Sequence, residues 1–227
     1  MPWRGRDIVF AVLTTFGGLI VASVFVAVWA EASDLDFSGT PVIVALELLA
    51  YGIFSAALWL FIGVRRRATM RAVGFRPVKV STILLMVPAV ILVIIVSGII
   101  AQLIRSFLDE VPTAEDQLAI EEAISGAELA WLFLATVVVA PIVEETFFRG
   151  ILYRYLKVVR GVAFATFGSG ILFALIHLIP ELIPVFLFLG VAFAFVAERY
   201  DSLYPAIALH ALNNGVALLG VYLLSLD

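Results

Sequence analysis

The chain contains no cysteine and few charged residues. The absence of cysteine from 227 residues excludes a disulfide, a thiolate nucleophile and a metal site with thiolate ligands. Charged residues make up only 14% of the chain, whereas hydrophobic residues make up 63%. Soluble globular domains have an apolar share of about 45–50%. Together with a mean hydropathy of +1.14, this composition excludes an ordinary soluble domain and predicts an all-α, polytopic bundle of transmembrane helices.

Long apolar segments separated by charged connections predict the individual spans. A helix needs about 20 apolar residues to cross a bilayer, and the pattern predicts about seven spans, within a range of six to eight. The predicted spans are residues 8–30, 41–64, 81–103, 129–148, 162–178, 185–197 and 202–224. The sixth is long enough only if Pro184 begins its first helical turn. Pro88 should bend the third span, and Glu47 in the second is assigned to the interface or to an interhelical hydrogen bond.

Two adjacent glutamates, Glu144 and Glu145, lie near the end of the fourth predicted span. An ionisable side chain in hydrocarbon costs about 2.5–3.5 kcal/mol on insertion scales, so it faces protein or water and is a functional candidate. Glu145 and Arg149 are four residues apart, in the favourable order for an ion pair on one helix face. Glu144 points about 100° away and has no local cation. We therefore predict a structural role for Glu145 with Arg149, and a functional role for Glu144.

Four further polar side chains lie in the apolar second half of the chain. His177 and His210 are the only two histidines, and both lie in predicted spans. Asn213 and Asn214 follow His210. Asn214 is four residues after His210 and so lies on the same helix face, which is required if both side chains are to donate to one oxygen. A single histidine in a span most often makes a hydrogen bond between helices. Two histidines with matching Glu and Asn partners favour a catalytic site, and we assign Asn213 to packing.

The polar residues form three motifs that together resemble a known family. The motifs are Glu144-Glu145-x-x-x-Arg149, Phe173-x-x-x-His177 and His210-x-x-x-Asn214, in this order and in separate predicted spans. They resemble the motifs of the CAAX-protease and bacteriocin-processing family of intramembrane endopeptidases. The polar turn at residues 201–205 also resembles the turn that precedes the last motif in that family. The resemblance covers residues 129–219 and does not extend to the first three spans.

The resemblance implies hydrolysis of a peptide bond by water within the membrane, without an acyl-enzyme. It implies that Glu144 and His177 activate the water, since a carboxylate and an imidazole together can take its proton. His210 and Asn214 would donate hydrogen bonds to the developing oxyanion, and loss of one such donor typically costs about 10²–10³ in turnover. The expected partners are membrane lipids and a peptide or membrane-protein substrate, with or without a lipid anchor. No nucleic-acid partner is expected.

A zinc site is the alternative chemistry for the same residues. Glu144, His177 and His210 could supply two imidazoles and one carboxylate and leave a fourth position open for water. The sequence lacks His-Glu-x-x-His, the motif of many zinc proteases. Asn214 is also better suited to an oxyanion than to zinc. We therefore expect catalysis without a metal or other cofactor, and keep zinc as the alternative.

Two other functions are compatible with this set of residues. The first is a catalytically silent scaffold, or an immunity-type protein, that binds a peptide or partner in the same cavity. The second is a proton-coupled transporter, because Glu and His chains within spans are also typical of transporters. The complete set of catalytic residue types favours the protease over the scaffold. Transporters are often built from inverted repeats, and the sequence shows none.

The depths of the predicted site residues disagree if each span is a regular helix. At 1.5 Å per residue, Glu144 lies about 15 Å from Arg154, whereas His177 lies about 25 Å from the basic residue that precedes its span. Either residues 161–166 run along the interface, or the helix breaks near residues 168–170.

The distribution of basic residues predicts how the chain is oriented. Lys and Arg concentrate in cytoplasmic loops. Seven spans with a cytoplasmic N-terminus place every Lys and Arg except Arg105 at or near the cytoplasmic side. We therefore predict an integral protein of the cell membrane, with the N-terminus and the active-site opening both toward the cytoplasm. We predict a single membrane domain over 1–227, in which 1–128 forms three spans and an acidic connection and 129–224 forms the motif-bearing core.

Overall fold

The computed structural model describes residues 1–33, 40–108, 111–112 and 126–224. Within these residues the chain forms helices and no strand. In chain order the helices are α1 (Gly5–Ser33), α2 (Thr40–Leu58, prolonged by π-helical turns at Trp59–Val64), α3 (Met70–Val73), α4 (Val80–Arg105), α5 (Gly126–Arg160), α6 (Val162–Leu175), α7 (Ile183–Tyr200) and α8 (Leu203–Leu224). The prediction of an all-α membrane bundle is confirmed.

Six of the described helices are long and apolar enough to cross a membrane: α1, α2, α4, α5, α7 and α8. Helix α6, where the fifth span was predicted, is apolar but has only 14 residues, so the described residues contain six long candidate spans, within the predicted range of six to eight. Helix α7 includes Pro184 in its first turn, as was predicted for the sixth span to be long enough to cross the membrane. Most of the acidic connections predicted around residues 31–40 and 106–128 lie outside the described residues.

Helix α4 is interrupted one turn before Pro88. Its two parts, Val80–Leu84 and Met86–Arg105, meet at Leu85. A proline ring has no N–H for the carbonyl four residues earlier and clashes with that carbonyl, which here belongs to Leu84. The interruption therefore lies where the missing hydrogen bond requires it, and the bend itself stays a prediction.

Helix α5 is much longer than the predicted span 129–148, because it continues to Arg160. The prediction ended the span at residue 148 because it counted Arg149 as a charge near the membrane surface. In the structure Arg149 is only 1% exposed, and Glu145 compensates its charge inside the bundle. Both glutamates therefore lie well inside a continuous helix and not at the end of a span.

Helices α5 and α6 are neighbours joined at Gly161. Its φ of 85° is a left-handed conformation that glycine adopts without strain. Glu145 and His177 are each sixteen residues from this turn, so the two neighbouring segments carry them to a similar depth. The depth disagreement arose because α5 extends more than one turn beyond Arg154. Helix α6 is continuous through residues 168–170, so the break considered there is wrong.

Ion pairs gather basic residues at one end of the bundle, which we call the basic end. Arg66 donates hydrogen bonds of 2.7 and 2.9 Å to the carboxylate of Asp7 near the start of α1. Arg76 and Arg154 both pair with Asp201 in the turn between α7 and α8. These contacts place the N-terminal segment, the loop after α2, the last part of α5 and the α7–α8 turn together.

Large apolar side chains fill the interior next to the basic end. The indole N–H of Trp3 donates to the Ile151 carbonyl over 3.2 Å, and Trp3, Val73, Ile151 and Leu203 are all at most 7% exposed. Gly150 packs so closely in this layer that a Cβ there would lie 2.7 Å from Val73 Cγ1. The layer separates the basic end from the polar residues deeper in the bundle.

The close contact of α6 with α7 yields a first prediction. A Cβ at Gly190 would lie 2.8 Å from the Gly170 Cα, so Gly190→Ala must push two helix backbones apart. We expect a loss of about 1–3 kcal/mol in the free energy of unfolding, measured as a lower thermal midpoint in detergent.

Gly220→Ala is the matched control, because a Cβ at this helical position meets nothing within 4 Å. Here alanine should be neutral or stabilise by about 0.5–1 kcal/mol through its better helix propensity. Equal thermal midpoints for the two variants would contradict the close packing of α6 and α7.

Candidate active site

A cavity of about 540 Å³ lies in the half of the bundle away from the basic end. Side chains from α2, α4, α5, α6, α7 and α8 line it, together with residues that lie between these helices. Its polar lining includes Glu47, Tyr51, Ser97, Arg105, Glu144, His177, His210, Asn213 and Asn214. The four residues predicted as catalytic are Glu144, His177, His210 and Asn214. All four therefore line the same cavity.

Glu145 and Arg149 form an ion pair that is completely buried. Arg149 Nη1 lies 2.7 Å from Glu145 Oε1, and both side chains have an exposed fraction of 0%. The second guanidinium nitrogen, Nη2, donates to the Gly190 carbonyl of α7 over 2.7 Å. The guanidinium also lies 4.6 Å from the centre of the Phe173 ring, in a cation–π contact. The pairing expected from the four-residue spacing is therefore present.

Glu145 also holds His210, a contact that sequence reasoning missed. His210 Nδ1 lies 3.0 Å from Glu145 Oε1, and its ring stacks on Phe193 with centroids 4.6 Å apart. A carboxylate at Nδ1 accepts the proton there and fixes the orientation of the imidazole. The other nitrogen, Nε2, lies 4.0 Å from Glu144 Oε2, which is too long for a direct hydrogen bond. His210 therefore lies between the two glutamates.

Glu144 is 8% exposed and lines the cavity beside its buried neighbour. Its Oε1 accepts a 2.6 Å hydrogen bond from the hydroxyl of Tyr51 on α2. Its Oε2 is buried and has no hydrogen-bond partner among the described residues. Sequence reasoning missed Tyr51, although a signal was present: it lies four residues after Glu47 in an otherwise apolar span. Both side chains line the cavity, so Glu47 lies at the site and not merely at a membrane interface.

His177 lies just after the last residue of α6 and has a different hydrogen-bond partner from His210. Its Nδ1 donates to the Phe173 carbonyl over 2.7 Å, and its ring stacks on Phe186 at 3.9 Å between centroids. Since a neutral imidazole carries one proton, Nε2 is left as an acceptor. In the described part of the chain His177 makes no direct hydrogen bond to Glu144, so their sharing of a water stays a prediction.

The side-chain amide of Asn214 is fixed by α5. It donates through Nδ2 to the carbonyl of Thr136, in the π-helical segment Phe133–Val139, over 2.9 Å. The amide has a second N–H, which remains for a group in the cavity. Asn213, which was assigned to packing, also lines the cavity and makes a long, 3.4 Å hydrogen bond to Asn214 Oδ1.

The acidic and imidazole groups do not form an evident metal site. Within the described ranges, no three His, Asp or Glu side chains are grouped as the ligands of a metal ion would be. One nitrogen of His210 and one of His177 are already held by Glu145 and by the Phe173 carbonyl. Zinc bound by Glu144, His177 and His210 stays an alternative that needs a chemical test.

The cavity and the N-terminus lie at opposite ends of the bundle. Helix α4 begins near the basic end and runs for 26 residues, about 39 Å, to Arg105, which lines the cavity. The cavity lining therefore lies away from the N-terminus, whereas the prediction placed the active-site opening on the same side as the N-terminus. The prediction followed from treating Arg149 as a surface charge, which placed Glu144 near the cytoplasmic end of its span. Which side of the membrane each faces stays a prediction.

Comparison with known proteins agrees with the motifs. Residues 126–216 match the model of a protein family described as Rce1-like, type II CAAX prenyl endopeptidase Rce1-like. The matched segment covers less than half of the chain, begins at α5, and contains all three motifs. This match confirms the resemblance predicted from the residues. No curated protein and no solved structure matches the chain.

The different surroundings of the two glutamates yield a second prediction. Glu145→Gln removes the charge that compensates buried Arg149 and the carboxylate that holds His210. We expect a loss of about 3–5 kcal/mol in the free energy of unfolding, measured as a lower thermal midpoint. Glu144→Gln should leave the midpoint unchanged or raise it, because it removes a desolvated charge that has no cationic partner.

Glu145→Asp should recover part of the loss, and Glu145→Gln combined with Arg149→Met should recover more, because no uncompensated charge remains. If Glu144→Gln were as destabilising as Glu145→Gln, the assignment of the structural ion pair to Glu145 would be incorrect.

Proposed function

We propose that this integral membrane protein hydrolyses peptide bonds with water as the nucleophile, because residues 126–216 match the model of a family described as type II CAAX prenyl endopeptidase Rce1-like. The observation that carries the proposal is that Glu144, whose Oε2 has no hydrogen-bond partner among the described residues, lines one cavity with His177, His210 and Asn214. Nδ1 of His177 lies on a backbone carbonyl and Nδ1 of His210 on a carboxylate. Each imidazole therefore has its Nε2 left for a group in the cavity.

In the proposed reaction Glu144 and His177 activate a water molecule. Glu144 Oε2, which has no hydrogen-bond partner in the described ranges, takes the proton of the water, and His177 Nε2 orients the water by accepting its second hydrogen. The oxygen of the water then bonds to the carbonyl carbon of the substrate. The proton held by Glu144 passes to the amide nitrogen as the carbon–nitrogen bond breaks. One water is consumed, and a carboxyl and an amino terminus are formed.

The charge that develops on the carbonyl oxygen needs donors, which His210 and Asn214 supply. His210 would donate to the oxyanion through Nε2 while its Nδ1 remains on Glu145, which requires a proton on both ring nitrogens. The second N–H of Asn214 adds the other hydrogen bond. Removal of one donor should cost about 10²–10³ in turnover.

The third prediction tests catalysis with the purified, reconstituted protein. The probes are internally quenched peptides, one ending in a prenylated Cys-a-a-X sequence and one set without lipid. Glu144→Gln should abolish cleavage at an unchanged thermal midpoint, because it keeps the shape of the side chain but removes the proton acceptor. Asn214→Ala should lower kcat by about 10²–10³.

Chelator treatment of the wild type belongs to the same assay. Retained cleavage supports the water-activating pair, whereas inhibition that added zinc reverses would replace it with a zinc site. If Glu144→Gln kept full biological activity, the endopeptidase proposal would fail and a binding or scaffold function of the same cavity would replace it.

The fourth prediction concerns Tyr51, which we propose as a positioning residue for Glu144. Tyr51→Phe removes a hydrogen bond to a charged group, worth about 1.5–3 kcal/mol, so kcat should fall about tenfold to a hundredfold with little change in KM. Tyr204→Phe is the control, because its ring packs on Phe75, and neither of these residues lines the cavity. Equal kinetics for the two variants would show that Tyr51 does not act through Glu144.

A further inference from the structure

The lining of the cavity reaches one end of the bundle. It includes Arg105 at the end of α4, Pro112 after it, and Ile179 between α6 and α7. Residues of the basic end do not take part in the lining. This lining favours entry of a polypeptide from the end where α4 and α6 finish.

The opposite approach, from the basic end, is blocked by tightly packed apolar side chains. Trp3, Val73, Ile151 and Leu203 are nearly inaccessible, and Gly150 leaves no room for even a Cβ against Val73. The protein interior is packed about as densely as an organic crystal, so such a layer does not admit an extended peptide without rearrangement. The ion pairs of Asp201 with Arg76 and Arg154 hold the loops over this layer.

The basic residues indicate which end faces the cytoplasm. Short loops rich in Lys and Arg remain on the cytoplasmic side. The loop from Arg65 to Lys79, the N-terminal segment and the last turns of α5 supply these residues, and their ion pairs place them at the basic end. Arg105 is the exception to this segregation. Arg105 and the buried Arg149 are the two basic residues that lie away from the basic end. Arg105 lines the cavity.

From these three observations we infer that the cavity takes its substrate from the extracytoplasmic side of the membrane. The substrate class is then an exported peptide, or the outer part of a membrane protein, and not a cytosolic C-terminus. Arg105 places a positive charge in the lining at this end, which suits an acidic group on such a polypeptide. This inference rests on the proposed function, because only an enzyme has a substrate. The direction of access to the cavity can nevertheless be measured without any cleavage.

The experiment uses the natural absence of cysteine, so that each introduced cysteine is the only one in the full chain. Ala101→Cys places a thiol in the cavity lining, Phe107→Cys an exposed thiol at the same end, and Arg71→Cys an exposed thiol at the basic end. Membrane-impermeant maleimide is added to right-side-out and to inside-out membrane vesicles. We expect labelling of Ala101→Cys and Phe107→Cys in right-side-out vesicles, and of Arg71→Cys in inside-out vesicles.

Labelling of Ala101→Cys only in inside-out vesicles would overturn the inference, whichever vesicles label Phe107→Cys. Absence of Ala101→Cys labelling in both kinds of vesicle, with Phe107→Cys labelled, would overturn it too, because the cavity would then be closed to the outer side. Labelling of Arg71→Cys from the outer side would reverse the orientation and have the same consequence.

Cleavage of the unlipidated peptide probe separates this inference from the proposed function. Alkylation of Ala101→Cys from the extracytoplasmic side should stop cleavage, and alkylation of Arg71→Cys from the cytoplasmic side should leave its rate unchanged. If no variant and no wild-type protein cleaves any probe, the endopeptidase proposal fails while the labelling result stands. If cleavage depends on Glu144 but stops only when Ala101→Cys is alkylated from the cytoplasmic side, the access inference fails and the endopeptidase proposal stands.

Discussion

The buried ion pair between Glu145 and Arg149 is the interaction on which the polar half of the bundle depends. Each charge alone would be costly inside an apolar bundle, so the two side chains must remain together. The same guanidinium donates to the Gly190 carbonyl, and the same carboxylate holds His210. One ion pair on α5 therefore fixes the positions of α7 and α8 as well.

The helices can come this close because glycines lie where their backbones meet. Gly170 on α6 and Gly190 on α7 are in direct contact, which brings the Gly190 carbonyl within 2.7 Å of Arg149 Nη2. Helix α5 contributes in another way, since it contains π-helical turns on both sides of the segment Ala140–Glu145. Such turns are frequent at functional sites. Here they accompany a segment that presents two adjacent glutamates to different surroundings.

Adjacent residues of the same type have different surroundings in this bundle. Glu145 is completely buried against a cation, whereas Glu144 faces the cavity, where the Tyr51 hydroxyl is the hydrogen-bond partner of one oxygen and the other oxygen has none among the described residues. The two histidines differ for a similar reason, since one Nδ1 meets a carbonyl and the other a carboxylate. In both pairs the tertiary structure, and not the residue type, gives each side chain its own hydrogen-bond partners.

The sequence by itself determined the membrane-helical class, the resemblance of the motif-bearing segment to a protein family, the Glu145–Arg149 pair and the four predicted catalytic residues that share the cavity. These follow from local properties: hydropathy over about 20 residues and the four-residue spacing of a helix. Only the tertiary structure decided that Arg149 is internal, that Tyr51 donates to Glu144, and that the cavity lies away from the N-terminus. A charge near the end of an apolar segment has the same local pattern whether it lies at the membrane surface or in a buried pair. The distinction depends on contacts between residues far apart in the chain, and no pattern within one helix contains them.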